Sequence, residues 1–236
     1  MVSVSTSTPV VISGVSRGLG AALARRFAAL GHPVAGCGRD PEALDGLRAE
    51  LGEGHLITGT DVTDADAVER WAGETVRRLG APALVIANAG YISRQAPVWE
   101  TRPADFRTTV DVNVVGVYTL ARAFLPRMVT GGTFVAVSSG WGRNPRGRLA
   151  AYTASKFAVE GFTRAIAQEA EELLPGVHAV AVDPGGGVDT DMLATCLPEE
   201  HTEYPGPEAW AQVAADYLLH QVPKEPNGAS LTVPWP

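Results

Sequence analysis

Six short apolar runs recur along this chain, each followed by a longer stretch with helical spacing, and that alternation constrains the fold more than any other feature. VVIS (Val10 to Ser13), HPVAGC (His32 to Cys37), HLITG (His55 to Gly59), ALVIAN (Ala83 to Asn88), TFVAVS (Thr133 to Ser138) and VHAVAVD (Val177 to Asp183) are continuous and rich in β-branched residues. Such runs suit strands of a parallel sheet buried on both faces. LGAALARRFAALG, PEALDGLRAEL, DADAVERWAGETVRRLG, the long segment after Pro103 and YTASKFAVEGFTRAIAQEAEELL read as the intervening helices. Gly31 and Gly80 stand where a helix end favours a left-handed residue. PEAWAQVAADYLL and SLTV (Ser230 to Val233) add a helix and a seventh strand. Right-handed crossovers then predict an α/β fold: a single doubly wound domain over residues 1–236 around a mainly parallel, seven-stranded sheet. No repeat or linker marks a second domain. Residues 184–206, rich in Gly and Pro, read as a substrate loop over the site.

Composition narrows the function. A formal charge of −7 argues against a nucleic-acid surface, which needs clustered excess cations; the one dense arginine stretch is Arg143, Arg146 and Arg148. Two cysteines, Cys37 and Cys196, suggest neither a disulfide framework nor a zinc site, and the five histidines show no metal spacing. A reducing cytoplasm fits this cysteine usage. The opening MVSVSTSTP lacks a basic region and a long apolar core, so it reads as a short lead-in rather than a secretory signal. No apolar run of about 18 residues is present to span a membrane.

The first strand runs into SGVSRGLG, residues 13 to 20, and then a helix. Gly14, Gly18 and Gly20 permit a tight turn, close approach of a pyrophosphate, and close helix-on-strand packing, with the positive helix N-terminus toward the phosphates. The bland alternative is a tight turn with no ligand; the strand before and helix after favour the dinucleotide reading. Further on, Tyr152 and Lys156 lie four residues apart in AYTASKFAVEGF, on one helix face. Taken alone, that pair also fits a surface turn.

The spacing G-x-x-x-G-x-G resembles the first turn of the short-chain dehydrogenases and reductases, in their shorter single-domain branch, with Ser13 in the threonine place. Further matches follow in that family's order: Asp61-Val62, Asn88-Ala89-Gly90, Asn113, Ser139, Tyr152 with Lys156, and Asp183-Pro184-Gly185. The resemblance covers residues from about 8 to 192 and implies a Rossmann-like fold and a nicotinamide-dependent enzyme. It implies a cofactor site made by Gly14, Ser16, Arg17, Gly18, Leu19, Gly20, Arg39, Asp61, Val62, Asn88, Ala89, Gly90, Tyr152, Lys156, Pro184, Gly185, Val188 and Thr190. The family's register puts uncharged Gly38 at the position that discriminates NAD from NADP, with Arg39 beside it and Arg17 nearby. Two cations and no carboxylate there favour NADP(H) over NAD(H). A register shift of two would instead bring Asp40 to the ribose.

The same resemblance implies the catalytic set Asn113, Ser139, Tyr152 and Lys156. A free tyrosine is a weak base near neutrality, and a neighbouring ammonium favours the phenolate. Tyr152 would be the general acid in reduction and the base in oxidation, Ser139 would hold the substrate oxygen, and Lys156 the nicotinamide ribose. On the residues alone, Asn113 could simply bond locally to backbone; the resemblance implies instead that it bends its helix and holds a water leading from Lys156 to solvent. Spacing from the tyrosine selects Ser139 over Ser138, which reads as strand-end packing, while Ser155 reads as a small residue at a helix contact. The implied activity is an NADPH-dependent carbonyl reductase, reversible as an alcohol dehydrogenase, acting on a small-molecule ketone or aldehyde. Members of that family pair through the helices carrying Asn113 and Tyr152, which implies a homodimer or homotetramer.

The chain departs from the family's pattern in places. ANAG replaces N-N-A-G, and DPGGGVDTDM carries one extra glycine before Val188 and Thr190, which suggests a flexible loop. Tyr91, Trp99, Trp141 and Met192 are candidate pocket walls. A binding-only redox sensor would not need Ser139, Tyr152 and Lys156, and a halohydrin dehalogenase would lack the lysine and the glycine turn.

Overall fold

The computed structural model describes residues 8–235, so residues 1–7 of the MVSVSTSTP lead-in lie outside the described residues. The elements alternate as the apolar runs predict. Strand β1 (Val10–Ser13) leads into α1 (Gly18–Ala29), then β2 (Val34–Gly38), α2 (Pro41–Leu51), β3 (Leu56–Gly59), α3 (Ala65–Leu79) and β4 (Leu84–Ala87). The segment after Pro103 forms α4 (Pro103–Val110), a π turn (Asp111–Val115) and α5 (Gly116–Phe124). Then come β5 (Thr133–Val137), α6 (Ala150–Leu173), β6 (His178–Asp183), a short α7 (Asp191–Cys196), α8 (Pro207–His220) and β7 (Ser230–Thr232). Gly31 and Gly80 have the positive φ expected of them, 86° and 97°.

All seven strands are parallel, in the order β3-β2-β1-β4-β5-β6-β7. Alternate side chains feed two cores. Val10 and Ile12 of β1, with Leu84 and Ile86 of β4, meet Leu23 and Phe27 of α1 and Trp210 and Leu218 of α8. On the other face, Val11 and Val85 meet Trp71 of α3, Phe124 of α5 and Ile166 of α6. Trp71 and Phe124 pack edge to face with centroids 5.1 Å apart, a geometry that suits the ring quadrupoles. The crossovers reverse direction between β1 and β4, and the gap left at the strands' carboxyl ends at such a point is where a ligand fits in an open α/β sheet.

Candidate active site

The glycine turn is stitched to the end of β4. Ser13 Oγ accepts from the backbone N–H groups of Asn88 and Ala89, each at 3.0 Å, and Asn88 Nδ2 donates to Ser13 O at 2.9 Å. This close approach explains two glycines. Gly14 has φ 77°, and a Cβ there would lie 2.9 Å from Ala89 Cα, while a Cβ on Gly20 would overlap Gly14 O. Helix α1 therefore starts hard against the strand. It has no side-chain cap and no acidic residue in its first turn, so its free N–H groups and dipole are available to an anion.

A cavity of about 380 Å³ opens in front of this turn. Gly14, Ser16, Arg17, Gly18, Leu19, Arg39, Asp61, Val62, Asn88, Ala89, Gly90, Tyr152, Lys156, Pro184 and Thr190 all line it. Ser16 Oγ is buried without a hydrogen-bond partner, an unspent donor and acceptor of the kind a ribose or phosphate oxygen satisfies. The cavity's lining from Arg39 to Tyr152, the bare helix terminus and this hydroxyl fit a nicotinamide dinucleotide. Gly20, Gly185, Val188, Asn113 and Ser139 do not line it: Gly20 acts through packing, and Val188 is buried in the core with Trp210.

At the adenosine end, a Cβ on Gly38 would overlap the Ser16 hydroxyl. Asp40 does not take the ribose position, because its carboxylate accepts from Ala43 N at 3.2 Å and caps α2. Arg39 lies 3.6 Å from Asp61, and Arg17 lies 3.4 Å from Asp191. Burial works against the Asp61 carboxylate, yet the Thr63 backbone and hydroxyl, with Arg39, hold it below its usual range. Both ion pairs are exposed at the arginine, so each stabilises by at most about 1 kcal/mol and yields readily to a phosphate.

At the other end, Tyr152 and Lys156 stand one turn apart on α6, both buried. Lys156 Nζ donates to Val137 O at 2.8 Å and lies 5.5 Å from the Tyr152 ring centre. Ser139 Oγ accepts from Trp141 N at 3.2 Å, which caps a short turn over Gly140–Gly142. The two groups shift in opposite directions. Burial pushes Tyr152 above the ordinary tyrosine value, and the Ser139 hydrogen bond only partly offsets this. Lys156 itself comes down to about 8, because burial removes its hydration while Asp183 and Glu160 pull the other way. The phenol therefore keeps its proton, as a proton donor must.

Asn113 sits in the π turn, fully buried. Its Oδ1 accepts from Tyr91 N at 2.7 Å, and Nδ2 donates to Tyr91 O at 3.0 Å and to Ser155 Oγ at 2.9 Å. A π turn interrupts the helix at Asn113. Both amide protons are spent on Tyr91 and Ser155, so the side chain clamps the π turn to α6. Ser155 is more than a small contact residue, for its hydroxyl links Asn113 to Tyr152 O at 2.7 Å. Ser138 Oγ is buried without a partner and its residue lines the cleft, so it exceeds strand-end packing.

The segment over the site is tethered rather than loose. A Cβ on Gly187 would lie 2.6 Å from Tyr204 Cγ, and one on Gly185 would lie 2.6 Å from Val233 O. Trp210 Nε1 donates to Pro184 O at 2.8 Å, and Asp189 N to Pro205 O at 2.9 Å. The glycines thus permit close approach, not looseness. Thr190 Oγ1 accepts from Leu193 N at 3.2 Å and caps α7, an element absent from the sequence reading. Tyr91 and Met192 line the cleft as expected; Trp141 packs edge to face on the Tyr152 ring at 6.1 Å without lining it. Trp99 is turned to solvent, 82% exposed, and is no pocket wall.

Similarity to known proteins agrees with this geometry. The chain is 40% identical over 235 residues to an NADPH-dependent pterin aldehyde reductase of Arabidopsis thaliana, covering 98% of this chain and 95% of that one. It superposes with a TM-score of 0.86 on a short chain dehydrogenase from Pseudomonas syringae, at 28% identity over 96% and 94% of the two chains. A blue fluorescent protein from a metagenomic library, solved with NADPH, gives a TM-score of 0.82 at 26% identity over 96% of each chain. The family model for short chain dehydrogenase matches residues 8–201. With that match over most of its length, the chain belongs to the short-chain dehydrogenases.

Proposed function

We propose that this protein is an NADPH-dependent reductase of aldehyde or ketone carbonyls, running in reverse as an alcohol dehydrogenase. The observation that carries the reading is the buried Tyr152 phenol, which lines the same cleft as Lys156 and the bare N-terminus of α1. The nicotinamide supplies or accepts the hydride when bound. Tyr152 gives its proton to the substrate oxygen in reduction and takes one back in oxidation. Ser139, whose hydroxyl lowers the phenol's pKa, orients it and the substrate oxygen. Lys156 holds the nicotinamide ribose and keeps positive charge beside the phenol. Asn113 fixes the turn at Tyr91 and the helix at Ser155.

Preference for NADP(H) rests on Gly38, where no carboxylate stands, and on Arg17 and Arg39, whose exposed aspartate partners a 2′-phosphate can replace. The NADPH dependence of the 40%-identical Arabidopsis reductase supports it, and pterin aldehydes are accordingly the first substrates to try. A homodimer or homotetramer is supported by Phe106, Val115, Tyr118 and Phe157, exposed apolar residues on α4, the π turn, α5 and α6. The whole chain acts as one catalytic domain. No helix among the described residues is long and apolar enough to cross a membrane, and the two free cysteines suit a cytoplasmic setting.

The test is NADPH oxidation, followed by absorbance, over pterin aldehydes and small and bulky aldehydes and ketones, with NADH in parallel. Turnover faster with NADPH is the expected result. Tight NADPH binding with no turnover on any carbonyl would replace this reading with a binding-only sensor.

A further inference from the structure

The proposed chemistry leaves unused a cluster of charges behind Lys156. Asp183 ends β6 and is 8% exposed; Glu160, one turn along α6 from Lys156, is 3% exposed. Strands β5 and β6 pair Val137 with Val182. The ammonium that donates to Val137 O therefore rests where β6 arrives at Asp183. Asp183 ties two turns together. Its Oδ1 accepts from Gly185 N at 3.2 Å, and Gly140, the residue after Ser139, lies so near Oδ2 that a Cβ there would be 3.3 Å away.

Glu160 is fixed as firmly. It accepts from Arg143 Nε at 3.2 Å and from Ser230 Oγ at 2.6 Å. Arg143 in turn donates to Thr232 Oγ1 at 2.9 Å and Leu231 O at 2.5 Å. Two cations pair with Glu160, Arg143 at 3.2 Å and Arg164 at 3.8 Å. Buried charges of this kind persist where each is paired and hydrogen-bonded.

We propose that Asp183 is a positioning residue that keeps Lys156 charged and seated beneath Tyr152, with Arg143 and Glu160 holding the outer end of the cluster. This rests on the proposed reading in which Lys156 works as an ammonium. The groups acting on Lys156 are Asp183 from β6, and Glu160 and the neutral Tyr152 from α6; Arg143, after β5, acts on both carboxylates. Burial alone drives the lysine toward the neutral amine, and Asp183 is the larger of the two opposing charges.

The composition makes a direct test possible. Lys156 and Lys224 are the only lysines in the chain, and Lys224 is exposed. Lysine carrying ¹³C at Cε then gives two NMR signals, one an internal reference. In Asp183→Asn the Lys156 midpoint falls by about one pH unit, the scale of a lost neighbouring charge, while Lys224 stays put. Glu160→Gln, which retains an oxygen for Arg143 or Ser230, shifts Lys156 the same way by less, and serves if Asp183→Asn does not fold. A wild-type Lys156 midpoint in a variant whose near-UV circular dichroism is native overturns the proposal. The titration uses neither cofactor nor substrate, so its outcome is independent of whether the reductase assay succeeds.

Discussion

Asn113 Nδ2 donates to Ser155 Oγ over 2.9 Å, and that hydroxyl donates onward to Tyr152 O over 2.7 Å. The π turn between α4 and α5 is thereby joined to the helix turn that presents Tyr152 and Lys156. Asn113→Ala would strand Tyr91 N, Tyr91 O and Ser155 Oγ, so a urea titration should show a loss of about 2–4 kcal/mol. Ser155→Ala leaves the Tyr91 bonds intact and should cost about 1 kcal/mol. Equal losses in the two variants would contradict a clamp centred on Asn113.

Cofactor choice depends on Gly38 and Ser16 jointly. A side chain at 38 collides with the Ser16 hydroxyl, so Gly38→Asp alone should weaken NADPH binding without gaining NADH. Ser16→Gly with Gly38→Asp makes room for the carboxylate and should raise the NADH to NADPH ratio of kcat/KM by about tenfold or more, the scale of one charged hydrogen bond. Steady-state kinetics with both cofactors decides this, and a full switch by Gly38→Asp alone would count against it.

Gly187 lies flat against Tyr204. Gly187→Ala should displace the segment leading to Thr190 and cost about 1–3 kcal/mol in thermal unfolding, as overpacking does. Tyr204→Ala in the same chain should return part of that loss. A Gly187→Ala protein as stable as wild type would mean the segment yields without cost.

The pH dependence follows from Lys156. Burial brings its pKa from 10.5 down to about 8, so it loses its proton at lower pH than an ordinary lysine. Tyr152 moves the opposite way and stays protonated across that range. For reduction, kcat/KM should be level below this point and fall as pH rises through about 8. A limb that instead falls on the acid side of neutrality would point to another group.

The sequence carried the sheet and the cofactor turn because both are written locally: β-branched runs set the strands, and glycine spacing sets the turn. It was silent where distant partners decide. The π turn is held through Tyr91 and Ser155, which lie 22 and 42 residues from Asn113. Gly187 reads as looseness until the Tyr204 ring is seen against it. Asp183 is legible only as part of the Asp183-Pro184-Gly185 match and Glu160 not at all, because only the pairing of β5 with β6 and the turn of α6 bring them toward Lys156. The burial that pushes the Tyr152 phenol up is likewise set by distant packing, which the spacing on one helix face does not carry.

The account stands most directly on Tyr152, and the measurement to make is single-turnover NADPH oxidation by Tyr152→Phe with an aldehyde the wild-type protein reduces. The hydride step should slow by about 100- to 10,000-fold, the share general acid catalysis supplies, with NADPH affinity unchanged. A Tyr152→Phe protein that reduces the aldehyde within about threefold of the wild-type rate would contradict the assignment of the proton donor.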